Sequence, residues 1–179
     1  YLSYGTYQMC QKKINDGYQI NFELIRNFDS FMIENVLVSP IPVPHDAREP
    51  CQFRFDCQDK SIAIITDLGK ITKHVVEKLS KVNLLVLEFN HDEMMLNSSD
   101  YPDSLKKRIN GHYGHLENKE SLKLLESINH LDLQWVIAAH LSEKNNHIAL
   151  VKKMIFEIVD KKNSNVGIID QELGLEWVS

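Results

Sequence analysis

The sequence predicts an α/β sandwich, and two observations carry that expectation. Between positions 61 and 92, SIAIITDLGKITKHVVEKLSKVNLLVLEFNHD, two short apolar runs each finish on a carboxylate, Asp67 and Glu88, and a helical pattern joins them. A crossover of that length is what a parallel strand pair needs. Over the C-terminal two-thirds, strand-like and helix-like segments keep alternating, which is the pattern of a layered α/β domain and not of a bundle or an all-β fold. Ligands of open α/β sheets sit beyond the C-terminal strand ends, so Asp67 and Glu88 are expected side by side at a site.

The elements follow in order. Residues 7–14 read as a short helix stopped near Asn15-Asp16-Gly17. From Tyr18 to Phe55 the signal is β, with strands expected at 19–24, 31–38 and 51–55. Between the last two lies SPIPVPHDAREP, where Pro40, Pro42 and Pro44 stiffen an extended backbone and remove donors; an edge or a rigid site loop is expected there, not a central strand. That segment presents His45 and Asp46 at its end. The β-branched run 61–66 predicts a buried strand, and Ile71, Val75, Val76 and Leu79 share one face of the helix after it. A second strand is expected at 84–87, then a less regular stretch. A turn or helix start at Tyr101-Pro102-Asp103 leads to a short helix over 105–109 closed by Gly111. An amphipathic helix is expected at 117–128, a third apolar strand at 135–139 ending on His140, a helix at 148–159 and a short strand at 166–169. No linker, repeat or low-complexity tract divides the chain, so one domain over 1–179 is expected.

Composition narrows the function classes. The 179 residues are 43% hydrophobic and 25% charged, ordinary values for a globular domain. No apolar run approaches the roughly 20 residues a membrane span needs. Net charge is −5, which excludes a general polyanion binder and leaves only local basic patches such as Lys106-Lys107-Arg108, or a solvated helix face at that place. Cys10, Cys51 and Cys57 form no CxxC pair, as expected for reduced thiols in a cytoplasmic protein.

His45, Asp67 and His140 each stand just after an apolar or rigid extended segment. Two imidazoles and a carboxylate facing one cleft suit zinc, manganese or iron, and a carboxylate can bridge two metals. Singly, each has an ordinary structural alternative: a histidine at a strand end is commonly hydrogen-bonded in place, and Asp-x-Gly is a common turn. Glu88 and His115 form a second candidate pair, in which the carboxylate fixes the tautomer of an imidazole that donates a proton to a leaving oxygen. His74, His112, His130 and His147 read as surface or helix-face residues, while His91 lies beside the site.

In that order, PVPHDAREP, TDLGKIT, LVLEFNHDEMML, YPDSLKKRI, GHYGHLENKES and AAHLSEKNN closely resemble metallo-β-lactamase-fold hydrolases of the YycJ/WalJ type, and GLEWVS resembles their closing strand. The resemblance implies an αβ/βα sandwich of four layers with a dinuclear site holding two divalent ions, zinc or manganese. It implies His45 as a ligand of one metal, Asp67 as the bridge, and His140 as the last histidine on the other metal. A more distant likeness to ribonuclease Z enzymes implies that Glu88 orients His115 toward the leaving group. His91, Asn118 and Asn145 are expected to bind substrate. The function implied is 5′-to-3′ exonuclease action on DNA, with nucleic acid as partner and no membrane. Alternatives are an RNA-processing endonuclease, a small-molecule hydrolase, or a non-catalytic fragment.

Two departures from the family pattern stand out. Glu117 occupies a position where the family's GHLSN segment has serine, and it either faces a phosphate path or faces water at a helix start. The HxHxDH segment that supplies most metal ligands is absent from the 179 residues. The chain is therefore expected to be the C-terminal part of a longer protein; the alternative, a natural short paralogue, would lack the other half of its sandwich and expose a broad apolar sheet face.

Overall fold

A computed structural model describes residues 1–14, 21–128, 130–159, 164–169 and 174. Among these, a seven-stranded mixed sheet forms the frame. Its strands are β3 (Phe31–Ile33), β4 (Val36–Pro42), β5 (Cys51–Cys57), β6 (Lys60–Ile65), β7 (Leu84–Glu88), β8 (Trp135–Ala139) and β9 (Asn165–Ile168), and they lie in that spatial order. The first four run as an antiparallel meander; β6 to β9 are parallel. Ahead of them, β1 (Leu2–Ser3) leads into helix α1 (Tyr4–Ile14) and pairs in parallel with β2 (Leu24–Ile25). The expected strand at 19–24 begins outside the described residues, as do the stop at 15–17 and all of the 174–179 segment except Gly174.

The remaining helices are α2 (Lys73–Leu79), α3 (Glu93–Ser98), α4 (Asp103–Ile109), α5 (Asn118–Ile128) and α6 (Ile148–Ile158). The core forms where α2, α5 and α6 cover one sheet face. Alternate residues of β6 and β7, Ala63, Ile65, Leu85 and Leu87, are fully buried there beside Val136 and Ala138 of β8, with Val75, Leu79, Leu124, Leu125, Val151 and Ile155 from the helices. Burying each leucine or isoleucine stabilises the fold by about 1.5–3 kcal/mol. Val75 and Leu79 are buried and Ile71 and Val76 pack partly against the same cluster, so the periodic face of α2 points inward. Thr72 accepts the Val75 N–H at 3.2 Å and fixes where that helix starts.

Among the described residues, the opposite sheet face is left partly exposed. Ile62 and Ile64 are 40% and 38% exposed, and the register places Phe55, Ile62, Leu84 and Trp135 in one row and Phe53, Ile64 and Val86 in the next. Tyr1 stacks on Phe31 with ring centroids 4.8 Å apart and covers only the β3 margin.

Two elements differ from the sequence expectation. The run 31–38 is a hairpin, not one strand: Glu34 turns the chain with φ 51°, and β3 folds back on β4. The proline segment begins as strand and becomes loop. Pro40 and Pro42 pair with β5 on one side but lie beyond the reach of β3, so no ladder needs their missing N–H. The less regular stretch holds α3, six residues long, whose start Asp92 caps by accepting the Met95 N–H at 3.0 Å. A helix of that length is too short to display a period.

Candidate metal and catalytic centre

Three strand ends and two loops meet at one edge of the sheet. Asp67 follows β6 in the left-handed region at φ 53°, and His140 follows β8 at φ 59°. Side chains held in this conformation are costly and mark places where surrounding contacts over-determine the backbone. His45 arrives on the proline loop after β4. The loop is stitched to its neighbours by the Gly69 N–H donating to Pro44 O at 2.9 Å and the Asp46 N–H donating to Tyr113 O at 2.9 Å. Gly69 makes this approach possible, since a Cβ there would lie 2.5 Å from the His112 carbonyl oxygen.

The imidazoles are aimed by their Nδ1–H groups. His45 donates to the Gly114 carbonyl at 3.0 Å, and its Nε2 lies 3.6 Å from Asp67 Oδ1. His140 donates from Nδ1 to Glu88 Oε1 at 2.8 Å, and its Nε2 lies 3.7 Å from the same Asp67 oxygen. The other Asp67 oxygen accepts from the Thr66 hydroxyl at 2.9 Å. His115 stands between, with its ring centroid 5.2 Å from each of the other two, and its Nδ1–H donates to Glu88 Oε1 at 2.7 Å. Fixing Nδ1 leaves Nε2 to act, which is how imidazoles are oriented in metal and acid–base sites.

Glu88 is fully buried, yet all its acceptor capacity is used. Oε1 takes both imidazoles, and Oε2 takes the Leu68 N–H at 2.9 Å and the Leu116 N–H at 3.2 Å. Burial pushes its carboxyl up, but the hydrogen bonds from His115 and His140, the His115 charge and the Leu68 N–H win and hold it at about 2. The hydrogen bond from Glu88 in turn raises His140 above its ordinary value, against the pull of burial.

Two groups of three donors have ligand atoms within 4.8 Å of one another: His45, Asp67 and His115, and Glu88, His115 and His140. The second is a hydrogen-bond cluster, because every Glu88 oxygen already faces N–H donors. The Nε2 atoms of His45 and His140 lie 3.6 and 3.7 Å from one Asp67 oxygen, a nitrogen-and-oxygen arrangement of the kind that fits a divalent ion.

His115 lines a cleft of about 360 Å³ with Lys70, Asn110, His112 and Glu117. His45 and Asp67 line a second, of about 330 Å³, with Arg48 and Phe53. Glu117 thus borders the cleft, and burial raises its carboxyl above the ordinary range. His91, Asn118 and Asn145, expected from sequence to bind substrate, are 0%, 0% and 1% exposed, and neither of these two clefts is lined by them. Arg108 donates to Asp46 and holds its carboxyl below the usual range, so one member of the basic cluster is occupied beside His45. Sequence reading named Asp46 and Arg108 without pairing them, and it passed over Asn90 and Asn146. The signal for Asn90 was its place two residues past Glu88, on the same side of the strand.

A family model described as a beta-lactamase superfamily domain matches residues 4–140. The chain belongs to that superfamily, and within it to the YycJ/WalJ type. It is 30% identical over 133 residues to exodeoxyribonuclease YycJ of Bacillus anthracis, a match covering 74% of this chain and 50% of that protein. It is 28% identical over 158 residues to exodeoxyribonuclease WalJ of Streptococcus pneumoniae, covering 87% and 57%. The chain thus spans about half the length of the curated relatives it matches. In fold it is similar to the metallo-beta-lactamase fold protein YhfI from Bacillus subtilis, with a TM-score of 0.69 at 12% identity over 98% of this chain and 63% of that one. A diphosphatase of the PhnP family superposes with a TM-score of 0.64 at 16% identity over 93% and 54%. Membership of this metallo-β-lactamase-fold family implies divalent metal binding. No helix among the described residues is long and apolar enough to cross a membrane.

Proposed function

We propose that this chain is the C-terminal portion of a metal-dependent phosphodiesterase, a 5′-to-3′ DNA exonuclease with two divalent ions, zinc or manganese. The observation that carries the reading is the convergence of His45 Nε2 and His140 Nε2 on one oxygen of Asp67, with both Nδ1 atoms already fixed. The names of the similar proteins, exodeoxyribonucleases both, support the choice of DNA. His45, Asp67 and His140 would hold the ions, Asp67 bridging them. A bound pair of divalent ions supplies a water of lowered pKa and neutralises phosphate oxygens.

The chain's own residues do the rest. Glu88 holds the Nδ1–H of His115, and His115, entering the step as imidazolium, gives its Nε2 proton to the departing 3′ oxygen at the cleft it lines and is left neutral with its Nδ1–H still on Glu88. The open sheet face carrying Phe53, Phe55, Ile62, Ile64 and Val86 supports a second layer of the domain packing there. That layer would bring the remaining ligands, and the site belongs to a cytoplasmic protein. The 179-residue chain alone is expected to hold metal substoichiometrically and to show no turnover, and two tightly held ions in it would overturn the partial-site reading.

Side-by-side digestion of end-labelled DNA duplex, RNA and a generic phosphodiester by the full-length protein tests the substrate class. Release of mononucleotides from the 5′ end of DNA is expected. Internal cuts in RNA, or preference for the small diester, would replace the exonuclease reading by one of its alternatives.

A further inference from the structure

Glu88 and Asn90 stand two residues apart where β7 ends, so their side chains leave the chain on the same side. Glu88 takes the ring of His140. Asn90 takes its peptide: the side-chain amide donates from Nδ2 to the His140 carbonyl at 3.0 Å. The same two residues treat the His115 loop alike, since Leu116 donates its N–H to Glu88 Oε2 and accepts from the Asn90 N–H at 3.2 Å. Further contacts hold Asn90 still. Its carbonyl accepts from the Ser142 N–H at 2.8 Å and from Asn146 Nδ2 at 3.0 Å, and Asn146 Nδ2 also reaches Phe89 O at 2.7 Å. Asn146 is in turn locked to Asn118 by two reciprocal amide hydrogen bonds of 3.0 Å.

This arrangement meets a specific need. His140 is held at φ 59°, a conformation that a histidine leaves readily once its peptide is free. A ring bond from Glu88 alone fixes one end of the side chain and not the backbone that aims it. Asn90 is buried at 9% exposure, and neither of the clefts at the site is lined by it. Its side-chain amide is spent on the His140 carbonyl, which suits a role in holding the site.

We infer that Asn90 is a positioning residue: its side-chain amide, carried on a backbone that Asn146 braces, clamps the His140 peptide in its left-handed conformation and so aims the imidazole at Asp67. This goes beyond the exonuclease reading and stands apart from it, because neither metal nor substrate enters the test.

The test is nuclear magnetic resonance of the metal-free full-length protein with nitrogen-labelled side chains. In the unmodified protein one Asn90 side-chain amide proton should exchange at least about tenfold more slowly than those of exposed asparagines. In Asn90→Ala the His140 ring signals should move and its Nδ1–H should exchange at least about tenfold faster, while the His45 ring, held by Gly114, stays unchanged. Unchanged His140 signals in a folded Asn90→Ala chain overturn the proposal. A uniform shift of all three site imidazoles overturns it too, since that is loosening of the fold and not positioning. Should Asn90→Ala fail to fold, the exchange rate of the Asn90 amide in the unmodified chain decides, and rapid exchange there refutes the clamp.

Discussion

The two ends of β7 solve the same packing problem with different chemistry. Asn83 precedes the strand and Glu88 closes it, and each ties neighbouring segments together through nearly all its polar atoms. Asn83 accepts from the Ser61 N–H at 2.8 Å and donates to Asp132 O at 3.1 Å, while its own peptide bonds to Ser61, Gln134 and Trp135. An uncharged amide is enough, because only backbone has to be held. Glu88 is a buried carboxylate that must be kept ionised by two imidazoles and two N–H groups. Buried charges are expensive unless paired in this way. Backbone strain does not separate the two ends, since Lys81 near Asn83 is also left-handed, at φ 60°. What separates them is that the strained residues at the Glu88 end, Asp67 and His140, bear the converging ligand atoms.

The comparison can be broken by substitution, and the largest effect is expected at the carboxylate both imidazoles face. Asp67→Asn in the full-length protein should abolish nuclease activity and lower metal content; full turnover with metal content unchanged would remove the bridging role. His115→Ala should cost about 10²–10⁴-fold in turnover while metal content holds, measured by single-turnover digestion. If metal is lost instead, His115 is a ligand and not a proton donor. Glu88→Gln keeps the shape but supplies an N–H where two donors already point, so metal affinity should fall about 10–100-fold by calorimetric titration.

The same variant has a pH signature. With its carboxyl at about 2 in the fold against an ordinary 4.5, Glu88 stabilises the protein fully above pH 4.5, and that contribution disappears as pH falls toward 2. Acid unfolding followed by circular dichroism should therefore be less steep in Glu88→Gln across that window. His140 has the opposite sign: its raised value stabilises the fold at low pH, and the gain is lost as pH rises through that value from the ordinary 6.5. The smallest functional effect belongs to the other strand end. Asn83→Ala should cost about 1–3 kcal/mol of stability by leaving the buried Ser61 N–H unmatched, with metal affinity and turnover per folded molecule unchanged. A loss of metal affinity there would erase the distinction between the two ends.

Much of the frame was legible in one dimension. The runs at 61–66, 84–87 and 135–139 became β6, β7 and β8 because strands with apolar side chains on both faces write themselves as continuous apolar stretches, even though Ile62 and Ile64 lie on the open face. Period alone did not show the hairpin at Glu34, or α3, whose single turn and a half depends on the Asp92 cap. The amphipathic reading of α5 found its apolar end but not its polar one. Asn118 and Ser121 are as buried as Leu124: Asn118 pairs its amide with that of Asn146, and the Ser121 hydroxyl donates back to Glu117 O.

The order of residue types along the chain was sufficient to say that a strand–helix–strand unit exists, that it ends on Asp67 and Glu88, and that histidines follow rigid segments. Burial of apolar side chains is a short-range, periodic property, and periodicity survives in a sequence. Which nitrogen of each histidine faces Asp67, that one carboxylate serves both His115 and His140, and that Asn90 grips the peptide between them are matters of direction. Those contacts join positions 27 to 52 residues apart, and hydrogen bonds of that range leave no spacing rule behind; only the folded chain brings their partners within 3 Å.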